Sequence, residues 1–168
     1  MTTRATELTD APDVRLVDRL LTEYGSSHQN LTNKLIHWVC VPAIVWTVIA
    51  MLWSIPTPEV FGAVPLLNWA TIVLALSLVY YVYMSPALAV GFLAFAAACM
   101  GLIVAYEGAV SLPLWAVALS VFVVAWVFQF IGHKIEGKKP SFFKDVQFLL
   151  IGPAWLMHFL YRKAGIAY

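Results

Sequence analysis

The sequence predicts an all-α integral membrane protein with four transmembrane helices, and its composition and charge distribution carry that prediction. Of the 168 residues, 62% are apolar and 11% are charged, whereas a soluble domain has about 45–50% apolar and about 25% charged residues. A soluble core of this size still needs a polar surface, so lipid must cover part of this chain. These values exclude a soluble enzyme, and the net charge of +1 excludes a protein that binds nucleic acid by bulk charge.

The middle of the chain consists of four apolar stretches of about 20 residues. Each is long enough to cross roughly 30 Å of hydrocarbon as a helix. They lie at about 35–55, 65–84, 86–106 and 112–132. Turn signals separate them at 56–59, Ser85-Pro86 and Glu107-Gly108. The Ser85-Pro86 pair predicts a very tight hairpin.

The cations predict the topology, because all ten Lys and Arg residues lie outside 35–133. An even number of spans places 1–34 and 133–145 on one face, and the positive-inside rule makes that face cytoplasmic. Both termini are therefore expected in the cytoplasm, with the chain in a bacterial inner membrane or the endoplasmic reticulum. A mixed-charge segment precedes the first span, so we expect no cleavable signal. We treat 1–168 as one membrane domain: a cytoplasmic arm (1–34), a four-span bundle (35–132) and a cytoplasmic loop with a C-terminal segment (133–168).

Two further segments flank the predicted bundle. Residues 12–24 place apolar side chains at helical spacing opposite charged ones and end at Gly25, which predicts an amphipathic helix on the cytoplasmic surface. The apolar run 146–161 has only 16 residues, and Gly152-Pro153 interrupts it. We therefore expect a short broken helix that is re-entrant or interfacial.

The chain has four histidines, and none lies in the middle of a predicted span. His28, His37 and His133 fall at one depth on the cytoplasmic side, and His158 joins them if the last segment re-enters. Such a cluster without thiolates suits iron, zinc or copper. The alternative is that each histidine is an interfacial anchor.

Convergence of His28 and His37 requires a break between them, since nine steps along one helix leave them on opposite faces. Gly25-Ser26-Ser27, followed by Asn30 or Thr32 as the N-cap of the first span, predicts that break.

Polar residues accompany the histidines at helical spacing. Asn33 precedes His37 by one turn, placed to hydrogen-bond a ligand or substrate. Gln129 and Glu136 flank His133 on one face of the fourth span, where either could accept a hydrogen bond from a metal-bound imidazole. Ordinary hydrogen bonding between helices is the alternative.

Two composite motifs support a family resemblance. They are His28-x4-Asn33-x3-His37 with Pro42, and Gln129-Phe-Ile-Gly132-His133-x2-Glu136-x3-Pro140, followed by Gly152-Pro153. In order and spacing, across about residues 20–162, the chain resembles the family of the yeast 2-hydroxy fatty acid dioxygenase that metabolises phytosphingosine, formerly a domain of unknown function. It departs from the usual family pattern at Cys40, where glycine is usual, and at Ser141, where alanine is common.

The resemblance implies an iron(II)-dependent α-oxidation, in which a long-chain 2-hydroxy fatty acid and O2 give CO2 and the fatty acid one carbon shorter. His28, His37 and His133 would be catalytic metal ligands with His158 as a fourth, and no 2-oxoglutarate would be needed. A 2-His-1-carboxylate site would need Glu136 instead. Lys34, Lys138 or Lys139 could pair with the substrate carboxylate, although a positive-inside cluster also explains them.

Two rival functions remain at this point. A non-catalytic structural or transport-related membrane protein would bind no metal, and a membrane haem protein would place facing histidines within its spans. The sequence predicts neither chain-length preference nor oligomeric state.

The predicted topology is testable by labelling introduced cysteines with an impermeant reagent. We expect labelling from the cytoplasmic side near residues 5 and 138, because all ten cations lie outside the apolar block 35–132. Labelling of 107–111 from that side, without labelling near 5 or 138, would contradict it.

Overall fold

The structure is a computed structural model that describes residues 14–138 and 145–168, and every regular element in these residues is helical. In chain order the elements are α1 (Leu16–Ser26), α2 (Leu31–Trp53), a 3₁₀ helix (Glu59–Ala63), α3 (Trp69–Met84), α4 (Pro86–Ala109), α5 (Leu114–Glu136) and α6 (Asp145–Ala164). The all-α class is confirmed for this part of the chain.

Three of the described helices, α2, α4 and α5, are long and apolar enough to cross a membrane, with 23, 24 and 23 residues. Helix α3 corresponds to the second predicted span but has 16 residues, a length of about 24 Å. It is shorter than the 65–84 stretch because Asn68 caps it, with a reciprocal hydrogen-bond pair between Asn68 and Thr71. The predicted count of four spans is therefore not confirmed.

The helix boundaries follow from local capping. Asn30 caps α2 by accepting a hydrogen bond from the Thr32 N–H at 2.9 Å, as one of the two predicted alternatives requires. Ser85 ends α3 and caps α4, with Pro86 at the first position of the new helix, which confirms the tight hairpin. Gly137 ends α5 at a φ of 73°, in the left-handed region that favours glycine.

Helix packing places α2 and α5 side by side as the most extensive helix pair, while α3 packs on α4. Helix α6 packs on α1 and also contacts α4 and α2. The apolar face of α1 (Val17, Leu20, Leu21 and Tyr24) is buried in one core cluster with Ile151, Ala154 and Trp155 of α6. The predicted amphipathic helix is present, but protein covers its apolar face; residues 12 and 13 lie outside the described part.

The prediction of a broken C-terminal segment is wrong, since α6 is one helix of 20 residues that contains Pro153. Pro153 lacks the N–H that would bond the Leu149 carbonyl, four residues before it, and its ring crowds that turn of the helix. A neighbouring helix can supply hydrogen bonds to such a distorted turn. Here the Tyr81 hydroxyl of α3 donates to the Leu150 carbonyl, and the Ala154 N–H interacts with the same hydroxyl. Tyr81 lies 69 residues from Leu150 in sequence, so the apolar run alone gives no sign of this contact.

Tyr81→Phe tests this support of α6. The variant loses a buried hydrogen bond and leaves the Leu150 carbonyl short of a partner, so we expect a loss of about 1–2 kcal/mol in the free energy of unfolding. Denaturation in detergent, followed by circular dichroism, measures it. Tyr83→Phe is the matched control because Tyr83 is exposed; equal stability of both variants would contradict the assignment.

Candidate metal centre

Three of the four histidines meet in the structure. Metal-binding atoms of His28, His37 and His133 all lie within 4.8 Å of one another. The ring centroids are 4.2 Å apart for His28 and His37, 5.2 Å for His28 and His133, and 5.0 Å for His37 and His133. The side chains are buried, with exposed fractions of 2%, 1% and 9% in chain order. We call these three residues the histidine triad.

The hydrogen bonds of the triad define which ring nitrogens are free. Nδ1 of His28 lies 2.7 Å from the Tyr24 carbonyl oxygen, and Nδ1 of His37 lies 2.9 Å from that of Asn33. A carbonyl only accepts, so both Nδ1 atoms carry the proton and each Nε2 presents a lone pair. This is the tautomer that a metal-bound histidine has when its other nitrogen donates to a backbone carbonyl.

Two buried nitrogens of the triad, His28 Nε2 and His133 Nδ1, have no hydrogen-bond partner within the described ranges. Such orphaned groups cost about 1–3 kcal/mol each and call for an explanation such as an ion. Burial also lowers the pKa of His28 to about 4. The imidazole is therefore neutral at pH 7, as a metal ligand must be.

Aromatic side chains fix the position of the His28 ring. Tyr24 stacks on it with the centroids 4.3 Å apart and the planes 13° from parallel, and Trp155 lies 5.2 Å away. Sequence reasoning missed both as site residues. Tyr24 could have been found, because it precedes His28 by one helical turn, whereas Trp155 comes from α6 and has no local signal.

The loop that carries His28 is hydrogen-bonded to the C-terminal end of α5. Glu136 accepts hydrogen bonds from the backbone N–H groups of Gln29 and Asn30, each at 2.8 Å, and from Asn33 Nδ2 at 3.1 Å. Asn33 Nδ2 also donates to the Ser27 carbonyl at 3.2 Å. Both Glu136 oxygens thus accept from N–H donors, and Glu136 is not in the metal-binding group.

The remaining predicted site residues occupy different positions. Gln129 is buried on α5, one turn before His133, and Lys34 is half-buried on α2. Lys138 donates from Nζ to the Ser26 carbonyl at 2.6 Å. Lys139, Pro140 and Ser141 lie outside the described residues.

His158 is not brought to the triad within the part of the chain that the structure describes. Its Nδ1 instead contacts the Tyr168 hydroxyl. The expected fourth ligand depended on a break at Gly152-Pro153 that α6 does not have.

A comparison with known families bears on what this triad does. A family model described as "2-hydroxy-palmitic acid dioxygenase Mpo1-like" matches residues 14–164. The chain belongs to the Mpo1-like family. The match includes the whole triad, Asn33 and Glu136. No curated protein and no solved structure matches the chain.

Gly132→Ala tests the close approach of α2 and α5 in this Mpo1-like site. A Cβ at Gly132 would overlap Asn33 Oδ1, so Asn33 or the helix pair must shift, and we expect a loss of about 1–3 kcal/mol in stability. Thermal unfolding of the metal-free protein measures it. Gly101→Ala is the control, since nothing lies within 4 Å of a Cβ there, and it should be neutral or stabilising by up to about 1 kcal/mol. Equal behaviour of both variants would contradict the close approach.

Proposed function

We propose that this Mpo1-like protein is an iron(II)-dependent dioxygenase that converts a long-chain 2-hydroxy fatty acid and O2 into CO2 and the fatty acid one carbon shorter. The observation that supports it is the buried triad with two orphaned ring nitrogens, in a chain whose family is described as 2-hydroxy-palmitic acid dioxygenase-like.

The donor set fits iron. His28, His37 and His133 would hold the metal through neutral imidazole nitrogens, a ligand type that iron accepts in proteins. Three protein ligands leave further positions open for substrate and O2. Iron(II) bound there supplies redox chemistry that no side chain of the triad can supply by itself.

The proposed reaction balances without a further reductant. One 2-hydroxy acid and one O2 give one shorter acid, one CO2 and one water, as the bond between the carboxyl carbon and the α-carbon breaks. The α-carbon loses three electrons on becoming a carboxyl carbon, and the released carbon loses one on becoming CO2. These four electrons complete the reduction of O2, so the reaction requires no 2-oxoglutarate.

The chain's own residues would bind and orient the reactants. Burial of the triad keeps bulk water from the reacting carbons. The Nδ1–H groups of His28 and His37 stay on their carbonyl acceptors, which holds both rings in the metal-binding tautomer. Lys34 is the better candidate for the substrate carboxylate, because Lys138 already donates to Ser26. Three apolar helices suit a lipid environment, from which an acyl chain could enter.

Single alanine variants of the triad test the proposal. For His28→Ala, His37→Ala and His133→Ala in purified protein, we expect loss of most bound iron and loss of the conversion of 2-hydroxypalmitate to pentadecanoate, since each variant removes a ligand. Iron analysis and mass spectrometry of the fatty acids measure both.

His158→Ala is the matched control, because it removes an imidazole outside the triad. It should keep its iron and its turnover. Unchanged iron content in two of the three triad variants would contradict the assignment. A Soret band in the spectrum of the purified protein would favour haem, and no metal at all would favour a structural protein.

A further inference from the structure

Glu136 is the last residue of α5, one turn after His133, and its carboxylate binds the chain directly after His28. Its two oxygens accept the N–H groups of Gln29 and Asn30, each at 2.8 Å. Gln29 directly follows His28, so the backbone held in this way begins one residue after that histidine. One carboxylate therefore connects the segments that carry His28 and His133.

The chemistry of this contact suits a carboxylate. Gln29 and Asn30 immediately precede the first residue of α2, where the backbone N–H groups have no partner within the helix. The positive end of a helix dipole favours an anion there, and hydrogen bonds to an ionised acceptor are about twice as strong as neutral ones. A neutral side chain of the same shape cannot accept two N–H groups and the Asn33 amide equally well.

Three other contacts hold the same loop but do not replace this one. Asn33 Nδ2 donates to the Ser27 carbonyl and Lys138 Nζ to the Ser26 carbonyl, and His28 itself is anchored through Nδ1 to Tyr24. All of these act before or at His28. Two further contacts lie beyond His28: Gln29 Nε2 donates to the Gly25 carbonyl, and Asn30 caps α2. Both join residues within 25–32 to one another. Among the described residues, Glu136 ties Gln29 and Asn30 to α5, the helix that carries His133.

We propose that Glu136 is a positioning residue, which holds His28 in place for metal binding by securing Gln29 and Asn30 and does not itself bind the metal. This proposal rests on one part of the proposed function, which is that the triad binds a metal. It differs from a direct ligand role, in which a carboxylate oxygen of Glu136 would itself bind the metal.

The test uses Co(II) as an optical probe in the full-length protein. Glu136→Gln should weaken Co(II) binding about 10- to 100-fold, the usual effect of losing a group that orients a ligand. The visible spectrum of the bound Co(II) should keep its wild-type band positions, because the ligand set is unchanged. In a His28→Ala background, Glu136→Gln should weaken the residual Co(II) binding no further.

A second readout needs no metal. In the metal-free protein, hydrogen exchange of the Gln29 and Asn30 amides should be at least about tenfold faster in Glu136→Gln, because they lose a charged acceptor. Glu136→Asp guards against a variant that does not fold, because it keeps the charge and is only one methylene shorter. We expect its Co(II) affinity and its amide exchange rates to lie between those of the wild-type protein and Glu136→Gln. Glu107→Gln is the control, because Glu107 accepts from Trp53 at 3.2 Å on helices α4 and α2 away from this loop.

The outcomes separate failure of the positioning role of Glu136 from failure of the proposed function. Wild-type affinity and unchanged amide exchange in Glu136→Gln would overturn the positioning role and leave the proposed function standing. Shifted Co(II) bands, or a further loss of binding in the His28→Ala background, would make Glu136 a ligand and also overturn it. Failure of the wild-type protein to bind Co(II) or iron would overturn the proposed function and the positioning role with it.

Discussion

The close approach of α2 and α5 at Asn33 and Gly132 is the constraint on which the histidine triad depends. Asn33 is fully buried, and its Oδ1 occupies the space where any Cβ at position 132 would lie. His37 follows Asn33 by one turn and His133 directly follows Gly132, so the contact brings their rings to 5.0 Å. A larger residue at 132 would separate the helices at the depth where the histidines must meet.

Burying three imidazoles together is unfavourable unless each remains neutral and its polar atoms are used. Burial lowers the pKa of His28 to about 4, which satisfies the first condition for that residue. Backbone carbonyls satisfy one nitrogen each of His28 and His37. Within the triad, the described structure gives no hydrogen-bond partner to two imidazole nitrogens, His28 Nε2 and His133 Nδ1. Folding alone does not explain why these two atoms are buried.

Local signals in the sequence predicted those features that depend on nearby residues. The Asn30 cap, the Ser85-Pro86 hairpin and the break between His28 and His37 each rest on a few adjacent positions, and the structure contains all three. The contact of Tyr81 with α6 and the contacts of Glu136 with Gln29 and Asn30 join residues that are distant in sequence, so local patterns gave no sign of them. The expected place of His158 beside the other histidines rested on a break at Gly152-Pro153, and α6 is continuous there.

Helix α1 contacts the histidine triad through Tyr24, although its pattern predicted a peripheral surface helix. The Tyr24 carbonyl lies in the last turn of α1, where it accepts the Ser27 N–H at 3.2 Å, and it also orients His28 through Nδ1 at 2.7 Å. The Tyr24 ring stacks on the same imidazole while contacting Trp155 of α6. Because α6 buries the apolar face of α1, a change in α6 packing would be transmitted to His28 without touching either of the other two histidines. Because α1 and α6 pack together over His28, the position of this one triad histidine is coupled to the folding of the C-terminal segment.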